Sequence, residues 1–314
     1  MKSTTDRSIP LALRALRCWF AIESRIAPAS AERRAAKMFV TPPRQKIRSP
    51  RHNDATASVR AFDVGVRNGS LSVSATAMGD GPNVMLLHGW GGTAADMLPA
   101  ASAFARAGYR AVVFDMPGHG RSPGRESSLV QFLRAIEAVS GALGAPEIIV
   151  GHSFGGAAAV LAITELALPV RGAVLFSPAP GPAYYVERFS RTIGLPAERA
   201  VGMMRRVVER VGRPVESLDA LVAARQVDVP AVIFHDPADR EVPFTFATQM
   251  AAALKGSRLV PAPALGHKRI LRDTATVAGA VDFARSLGNR TTGVGKFFHR
   301  SPAFDGAISP MASL

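Results

Sequence analysis

The most informative stretch of the 314-residue sequence is Ile148–Gly156, which reads IIVGHSFGG. An apolar run with strand character leads directly into a pentapeptide of the form G-x-S-x-G, and a run of small residues with helical character follows it. In a sharp strand-to-helix turn of this kind, a serine hydroxyl is held clear of the backbone. The stretch therefore predicts that Ser153 is a nucleophile at the end of a strand in an α/β protein.

Short apolar runs alternate with helical segments on both sides of this stretch. The runs with strand character are Val84–Leu87, Ala111–Phe114, Ile148–Val150, Ala173–Phe176, Ala231–Phe234 and Arg258–Pro261. Strands that are apolar on both faces are typical of a parallel sheet buried between helices. The pattern predicts an α/β fold with a mostly parallel central sheet.

Residues 58–78 alternate as two strands around Asn68-Gly69, which predicts an opening β-hairpin. Between the fourth and fifth apolar runs the sequence has helical character, which predicts a cap inserted into the core. We therefore divide the chain into a basic N-terminal extension (residues 1–57), an α/β core in two segments (residues 58–177 and 229–290), a helical cap (residues 178–228) and a tail without periodicity (residues 291–314).

The composition is that of an ordered globular protein, with 47% hydrophobic and 20% charged residues. The single cysteine, Cys18, excludes an intramolecular disulfide framework and a cysteine-rich zinc site. No Asp/His cluster has metal-ligand spacing, and the phosphate-loop and dinucleotide-binding patterns are absent from the sequence. We expect neither a metal nor a cofactor.

The positive charge is concentrated near the N-terminus. Residues 1–60 contain 13 Lys and Arg against four Asp and Glu, and they supply +9 of the net charge of +14. Within them we predict a basic amphipathic helix, Leu11–Ile26, and a second helix, Ser30–Phe39, capped by Ser30. The first helix either contacts an anionic membrane or packs its apolar side on the protein, and the wide spread of its apolar positions favours packing.

Several other classes of protein are disfavoured. Nucleic-acid binding is not expected, because no recognised binding module is present. The apolar runs are too short to span a bilayer, and charged residues interrupt the N-terminal apolar stretch, so that it does not resemble a secretory signal. We expect a cytoplasmic protein, peripheral to the membrane if its first helix binds lipid. The sequence does not indicate an oligomeric state.

A serine nucleophile needs a base, and the base needs an acid that orients it. His267 follows the last predicted strand and is the candidate base. Asp236 and Asp239 both follow the strand Ala231–Phe234, and either gives the chain order Ser…Asp…His. Asp236 lies closer to the strand end, where it could instead cap the turn at Pro237.

An oxyanion hole needs two backbone N–H groups. Phe154 follows the nucleophile and supplies one. The loop His88–Gly92 follows the strand Val84–Leu87, and the Trp90 amide is the candidate for the other. The Trp90 ring can at the same time form part of the core or of a pocket wall.

Five stretches together resemble the α/β-hydrolase superfamily, over residues 62–287. They are His88–Gly92, Asp115–Ser122, Gly151–Gly156, His235–Pro243 and Gly266-His267. The resemblance implies that Ser153 is the nucleophile, Asp239 the acid and His267 the base. It also implies that Trp90 and Phe154 provide the oxyanion amides and that the cap selects the substrate. Haloalkane dehalogenases and epoxide hydrolases of this superfamily use an aspartate nucleophile, so the serine at position 153 excludes those reactions.

Aromatic and methionine side chains of the cap are candidates for an acyl pocket, although core packing is the favoured interpretation of each one alone. They are Tyr184, Tyr185, Phe189 and Met203. We predict a serine hydrolase that cleaves a small-molecule carboxylic ester through an acyl-enzyme. The alternatives are thioester, C–C bond or peptide cleavage by the same residues, and a non-catalytic ligand-binding relative.

Overall fold

The computed structural model describes residues 10–43, 59–65 and 72–288, and within these ranges the chain folds around one eight-stranded sheet. The strands are β1 (Val59–Gly65), β2 (Ser72–Met78), β3 (Asn83–Leu87), β4 (Arg110–Phe114), β5 (Ile148–His152), β6 (Gly172–Phe176), β7 (Ala231–His235) and β8 (Arg258–Pro261). Their order across the sheet is β1-β2-β4-β3-β5-β6-β7-β8. β2 pairs antiparallel with β1 and β4, and all pairs from β4 to β8 are parallel.

Helices cover both faces of this sheet. They are α1 (Leu11–Ile26), α2 (Pro28–Phe39), α3 (Ala94–Arg106), α4 (Leu129–Leu143), α5 (Phe154–Glu165), α6 (Pro182–Ile193), α7 (Ala197–Val211), α8 (Ala220–Ala224), α9 (Phe244–Ala253), α10 (Gly266–Arg269) and α11 (Thr274–Gly288). A 3₁₀ turn, Val215–Leu218, precedes α8. One core cluster joins the sheet to α4, α5, α8 and α9, and a second joins its other face to α3 and α11.

The predicted α/β fold is confirmed. The six apolar runs lie within β3 to β8, and β1 and β2 form the two strands of the predicted hairpin. Asn68-Gly69, the linker from residue 44 and the tail 291–314 lie outside the described residues. Residues Phe154–Ala162 of α5 are all buried because this helix is enclosed by the sheet and its neighbouring helices, which explains its lack of a polar face.

The two N-terminal helices pack on the cap. α1 has the predicted bounds, whereas α2 begins at Pro28. The prediction that Ser30 is the N-cap was wrong, because a proline fits the first turn of a helix and Ala27 is the cap residue. Phe20 of α1 and Ala35 of α2 share a buried cluster with Met203 and Val207 of α7.

The helices inserted between β6 and β7 have different packing partners. α6 and α7 pack against α2, whereas α8 packs against α5 and α9 in the body. The predicted cap, residues 178–228, contains all of these helices, and its end at residue 228 stays a prediction. Three alanines of α8 (Ala220, Ala223 and Ala224) are buried or nearly so, and their small side chains allow it to lie close to the alanine-rich α5.

None of the helices in the described part of the chain has both the length and the apolar character needed to cross a bilayer.

Candidate active site

Ser153 lies at the turn between β5 and α5 with a φ of 53°, a left-handed conformation that is uncommon for a residue other than glycine. Its backbone N–H donates to the carbonyl oxygen of Phe176 on β6 at 2.9 Å, which fixes the turn to the sheet. A Cβ atom at Gly151 would lie 2.5 Å from the Gly155 carbonyl oxygen. The turn therefore needs the glycines of the pentapeptide for steric reasons.

His267 lies in α10, after β8, and is joined to an acid from the end of β7. Its Nδ1 donates to Oδ2 of Asp239 at 2.8 Å, and both side chains are buried. Oδ1 of Asp239 accepts the backbone N–H groups of Glu241 and Val242 at 2.8 and 3.1 Å. Burial alone would raise the pKa of Asp239, but the hydrogen bond and the charge of His267, together with these N–H groups, lower the pKa to about 2. The acid is therefore ionised at neutral pH and orients the imidazole.

Asp236, the other candidate acid, makes different contacts. Its carboxylate accepts the backbone N–H of Ala238 at 2.8 Å and that of Gly266. Burial raises the pKa of Asp236, but these backbone hydrogen bonds lower it below its ordinary value. Asp236 thus ties the loop before α10 to the end of β7 and holds the residue preceding His267.

A second histidine, His152, contacts the backbone and the ring of His267. Nε2 of His152 lies 2.8 Å from the carbonyl oxygen of His267, and the centres of the two rings are 4.7 Å apart. Burial and the proximity of His267 lower the pKa of His152 to about 3, so His152 is neutral at physiological pH. His152 therefore fixes the backbone that carries His267.

The loop between β3 and α3 borders Ser153. A Cβ atom at Gly89 would lie 3.0 Å from Cβ of Ser153, so only a small residue leaves room beside the hydroxyl. The rings of Trp90 and Phe154 contact each other edge to face, with centres 5.4 Å apart. Phe154 is the first residue of α5, and its N–H therefore has no partner in a preceding turn of that helix. The two predicted oxyanion residues are thus neighbours, and Phe154 directly follows Ser153.

The turn after β4 holds this loop in place. Oδ1 of Asp115 accepts the N–H of Ala94 at 2.7 Å, at the start of α3, while its Oδ2 accepts the N–H of Arg121 at 2.9 Å. His119 accepts the N–H of Gly91 at 3.1 Å through Nε2. The motif Asp115–Ser122 therefore holds the loop between β3 and α3, which carries the predicted oxyanion residue Trp90.

Ser153 and His267 both line a cavity of about 450 Å³. Tyr185 and Phe189 line it, four residues apart on one face of α6. Tyr184 does not line it, because its ring is directed to Phe246, with ring centres 4.6 Å apart. Met203 does not line it either, because it is fully buried in the cluster between the cap and the N-terminal helices.

The N-terminal extension forms one wall of the cavity, which the sequence analysis did not predict. The end of α2 and the residues after it contribute Met38, Phe39, Val40, Thr41 and Pro43. The Phe39 ring contacts Phe189 of the cap edge to face, with centres 5.2 Å apart, and the Val40 carbonyl oxygen accepts the N–H of Ser127 at 2.7 Å. The helical period of α2 was visible in the sequence, but the partner of its last turn was not.

Charged side chains, Asp96 among them, also line this mostly apolar cavity. Arg188, Lys268, Arg272 and Glu241 are among the lining residues. A carboxylate oxygen of Glu241 lies 3.8 Å from Nε2 of His267, and the Glu241 side chain is 57% exposed. A negative charge therefore stands beside the imidazole nitrogen that faces away from Asp239.

The model of the family described as serine aminopeptidase, S33, matches residues 82–251, more than half of the chain. The chain belongs to this family of α/β-hydrolases. An epoxide hydrolase from Caballeronia sordidicola is 36% identical over 108 residues, which are 33% of this chain and 32% of that protein. A pimeloyl-[acyl-carrier protein] methyl ester esterase from Aeromonas salmonicida is 38% identical over 96 residues, which are 30% of this chain and 37% of that protein. The chain thus spans about a third of the length of these curated relatives.

Solved structures share the fold at low sequence identity. Est1E from Butyrivibrio proteoclasticus with bound ferulic acid has a TM-score of 0.59 at 17% identity, over 73% of this chain and 100% of that one. A bromoperoxidase from Bacillus anthracis has a TM-score of 0.55 at 17% identity, over 73% of this chain and 99% of that one. These likenesses show the fold and leave the reaction open.

Proposed function

We propose that the protein is a serine hydrolase that cleaves carboxylic esters, with Ser153, His267 and Asp239 as its catalytic residues. The observation that carries the proposal is the buried His267–Asp239 pair, whose histidine lines the same cavity as a serine held at a strained strand-to-helix turn. This combination of an oriented base and an exposed hydroxyl is what nucleophilic catalysis by serine requires.

The reaction follows from these positions. His267 takes the proton of the Ser153 hydroxyl through Nε2 while the oxygen attacks the ester carbonyl carbon. The backbone N–H groups of Trp90 and Phe154 stabilise the negative charge on the carbonyl oxygen. The C–O bond to the alcohol then breaks, His267 returns the proton to the alcohol, and Ser153 keeps the acyl group. A water molecule, deprotonated by His267, attacks the acyl carbon and releases the acid and the free serine.

The cavity supports an ester with a substantial apolar part. Its walls are mainly aliphatic and aromatic side chains, including Phe39, Phe189 and Val207. A volume of about 450 Å³ accommodates a medium-length acyl chain or an aromatic group. The curated relative from Aeromonas salmonicida is named as a methyl ester esterase, which also favours ester cleavage. The relative named as an epoxide hydrolase does not change this proposal, because the residue at the turn here is a serine.

One observation favours a second candidate, the removal of an N-terminal amino acid from a peptide. An aminopeptidase must bind the ammonium group of its substrate, and Glu241 places a carboxylate within 3.8 Å of the His267 imidazole. The description of the matching family names this activity. Ester and peptide cleavage would use the same three catalytic residues, so the two activities differ only in the substrate that is bound.

The proposal is tested by hydrolysis of p-nitrophenyl esters from acetate to palmitate, with alanine p-nitroanilide and an acyl thioester in parallel. Ser153→Ala should lower ester turnover by roughly 10⁴-fold or more. Ser177→Ala is the matched control. Like Ser153, Ser177 directly follows a strand and has a positive φ, of 43°, but it lies outside the cavity. Ester hydrolysis that survives in purified Ser153→Ala contradicts the proposal, and hydrolysis of the anilide alone favours the peptidase.

A further inference from the structure

The first helix presents an apolar stripe to solvent. Leu11, Trp19, Ile22 and Ile26 are between 55% and 80% exposed, although α1 is packed against the rest of the protein. These four residues, with Ala15 and Cys18 between them, fall on one side of α1 at helical spacing. Large apolar side chains that are exposed together on one helix face are typical of an interaction surface.

The orientation of the stripe is fixed by the opposite side of the helix. Phe20 is fully buried against α2 and the cap, and Leu16 packs against the same cluster. Glu23 is buried at the junction of α1 and α2, where it accepts hydrogen bonds from Ser30 and Trp19, at 2.8 Å each, and from Arg34. The helix is therefore held in place, with its stripe directed outward.

The exposed charges of α1 and α2 are all positive. Arg14, Arg17 and Arg25 of α1 are exposed, as are Arg33, Arg34 and Lys37 of α2. The two acids of these helices are buried and lie near cations: Glu23 is 3.1 Å from Arg34, and Glu32 is 4.0 Å from Arg199. The surface thus combines apolar side chains with a row of cations and no exposed carboxylate between Leu11 and Val40.

We propose that α1 is a membrane-docking helix that lies flat on a bilayer containing anionic lipid. Its stripe would enter the boundary between head groups and acyl chains, while Arg14, Arg17 and Arg25 contact lipid phosphates. A second copy of the chain fits this surface less well, because pairing two such stripes would bring two rows of arginines together without an acid between them.

The docking surface lies next to the cavity. A shallow groove between α1 and α2 is lined by Leu16, Trp19, Arg34, Lys37, Met38 and Thr41, and the last two of these also line the catalytic cavity. If the protein cleaves esters as proposed, a lipophilic ester in the bilayer would meet the cavity wall beside the docked helix. The docking itself does not depend on that reaction.

The test is co-sedimentation of the full chain with vesicles of equal parts phosphatidylglycerol and phosphatidylcholine, and with vesicles of phosphatidylcholine alone. The wild type should sediment with the anionic vesicles. Ile22→Glu/Ile26→Glu removes two apolar anchors and should weaken binding by roughly 100-fold. Arg14→Gln/Arg25→Gln keeps the stripe and should weaken it by roughly 30-fold.

Val222→Glu is the matched control, because Val222 is 54% exposed on α8, away from α1. It should bind the anionic vesicles as the wild type does. The proposal is overturned if Ile22→Glu/Ile26→Glu sediments as well as the wild type, or if the wild type binds neutral vesicles equally well. It is also overturned if the wild type is a dimer that does not sediment with vesicles while the Ile22→Glu/Ile26→Glu variant is a monomer. Vesicle binding is measured without catalysis, so its failure is distinguishable from failure of the proposed esterase.

Discussion

Oδ2 of Asp239 lies 2.8 Å from Nδ1 of His267, although 28 residues separate them in the sequence. β7 and β8 are adjacent and parallel, so the loops that follow them meet at the same edge of the sheet. Ser153 reaches that edge from β5, and the loop His88–Gly92 reaches it from β3. Residues from four separate loops therefore meet at the carboxyl end of the sheet, where ligands bind in open α/β sheets.

Replacing the acid tests this relationship. Asp239→Asn should keep the fold but lower kcat for ester hydrolysis by roughly 10³- to 10⁴-fold, because the imidazole loses its oriented tautomer and its counter-charge. Asp236→Asn should mainly lower the melting temperature, because Asp236 binds backbone N–H groups. A larger loss of kcat in Asp236→Asn than in Asp239→Asn would show that the acid is misassigned.

Gly155 and Gly141 should respond oppositely to alanine, although both lie in helices. A Cβ atom at Gly155 would lie 2.5 Å from the carbonyl oxygens of Leu87 and His88, whereas nothing lies within 4 Å of one at Gly141. Gly155→Ala should lower the free energy of unfolding by about 2 kcal/mol or more. Gly141→Ala should raise it by roughly 0.5–1 kcal/mol. Chemical denaturation measures both changes, and equal effects would contradict the close approach of α5 to the oxyanion loop.

The lowered pKa values of buried histidines predict acid sensitivity. Burial lowers the pKa of His88 to about 4 and those of His119 and His152 to about 3. Histidines in the unfolded chain have pKa values of about 6.5, so between about pH 4 and pH 6.5 the unfolded state binds more protons than the folded state. The stability that these residues contribute is complete above pH 6.5 and is lost as the pH falls.

The slope of this loss is measurable by denaturant unfolding at several pH values. Protonation of His88, His119 and His152 alone corresponds to a slope of up to roughly 4 kcal/mol per pH unit. Burial also lowers the pKa of His235, which adds to the slope. His119→Gln should reduce the slope by about 1.4 kcal/mol per pH unit, because one titrating group is removed. A free energy of unfolding that stays constant from pH 6.5 to pH 4 would mean that these histidines are protonated in the folded protein.

The N-terminal extension should influence substrate choice through Phe39. Phe39→Ala opens the wall that Phe39 forms with Phe189, so the acyl length with the highest kcat/KM should shift toward longer chains. Phe246→Ala is the matched control, because Phe246 is also half-buried and contacts Tyr184 outside the cavity. A chain-length profile that is identical in Phe39→Ala and the wild type would show that α2 does not bound the acyl site.

The sequence predicted the strands of the parallel sheet because burial on both faces leaves continuous apolar runs such as Ala231–Phe234. It also predicted the position of the serine turn, since the glycines beside Ser153 are required by contacts within a few residues. The strand ends were less predictable, because polar residues such as His152 and His235 extend β5 and β7 through backbone pairing alone.

Contacts between distant segments were not predictable. Tyr184 and Tyr185 are adjacent and chemically identical, yet only Tyr185 faces the cavity, because the rotation of α6 is set by Phe246 and α7. Met203 was a candidate for the pocket with core packing as the favoured interpretation, and it lies in a buried cluster whose other members, Phe20 and Ala35, are more than 160 residues away in the sequence. The part of the cavity wall that Phe39 forms with Phe189 was not predicted either, because these two residues are also far apart in the sequence.

The most direct test of the central claim is covalent labelling with a fluorophosphonate, which phosphonylates an activated serine and releases fluoride. Intact-mass spectrometry of the wild type and of Ser177→Ala should show one adduct, and peptide mapping should place it on Ser153. Ser153→Ala should remain unmodified under the same conditions. Labelling of Ser153→Ala to the same extent, or no adduct on the folded wild type, would contradict the assignment of Ser153 as the nucleophile.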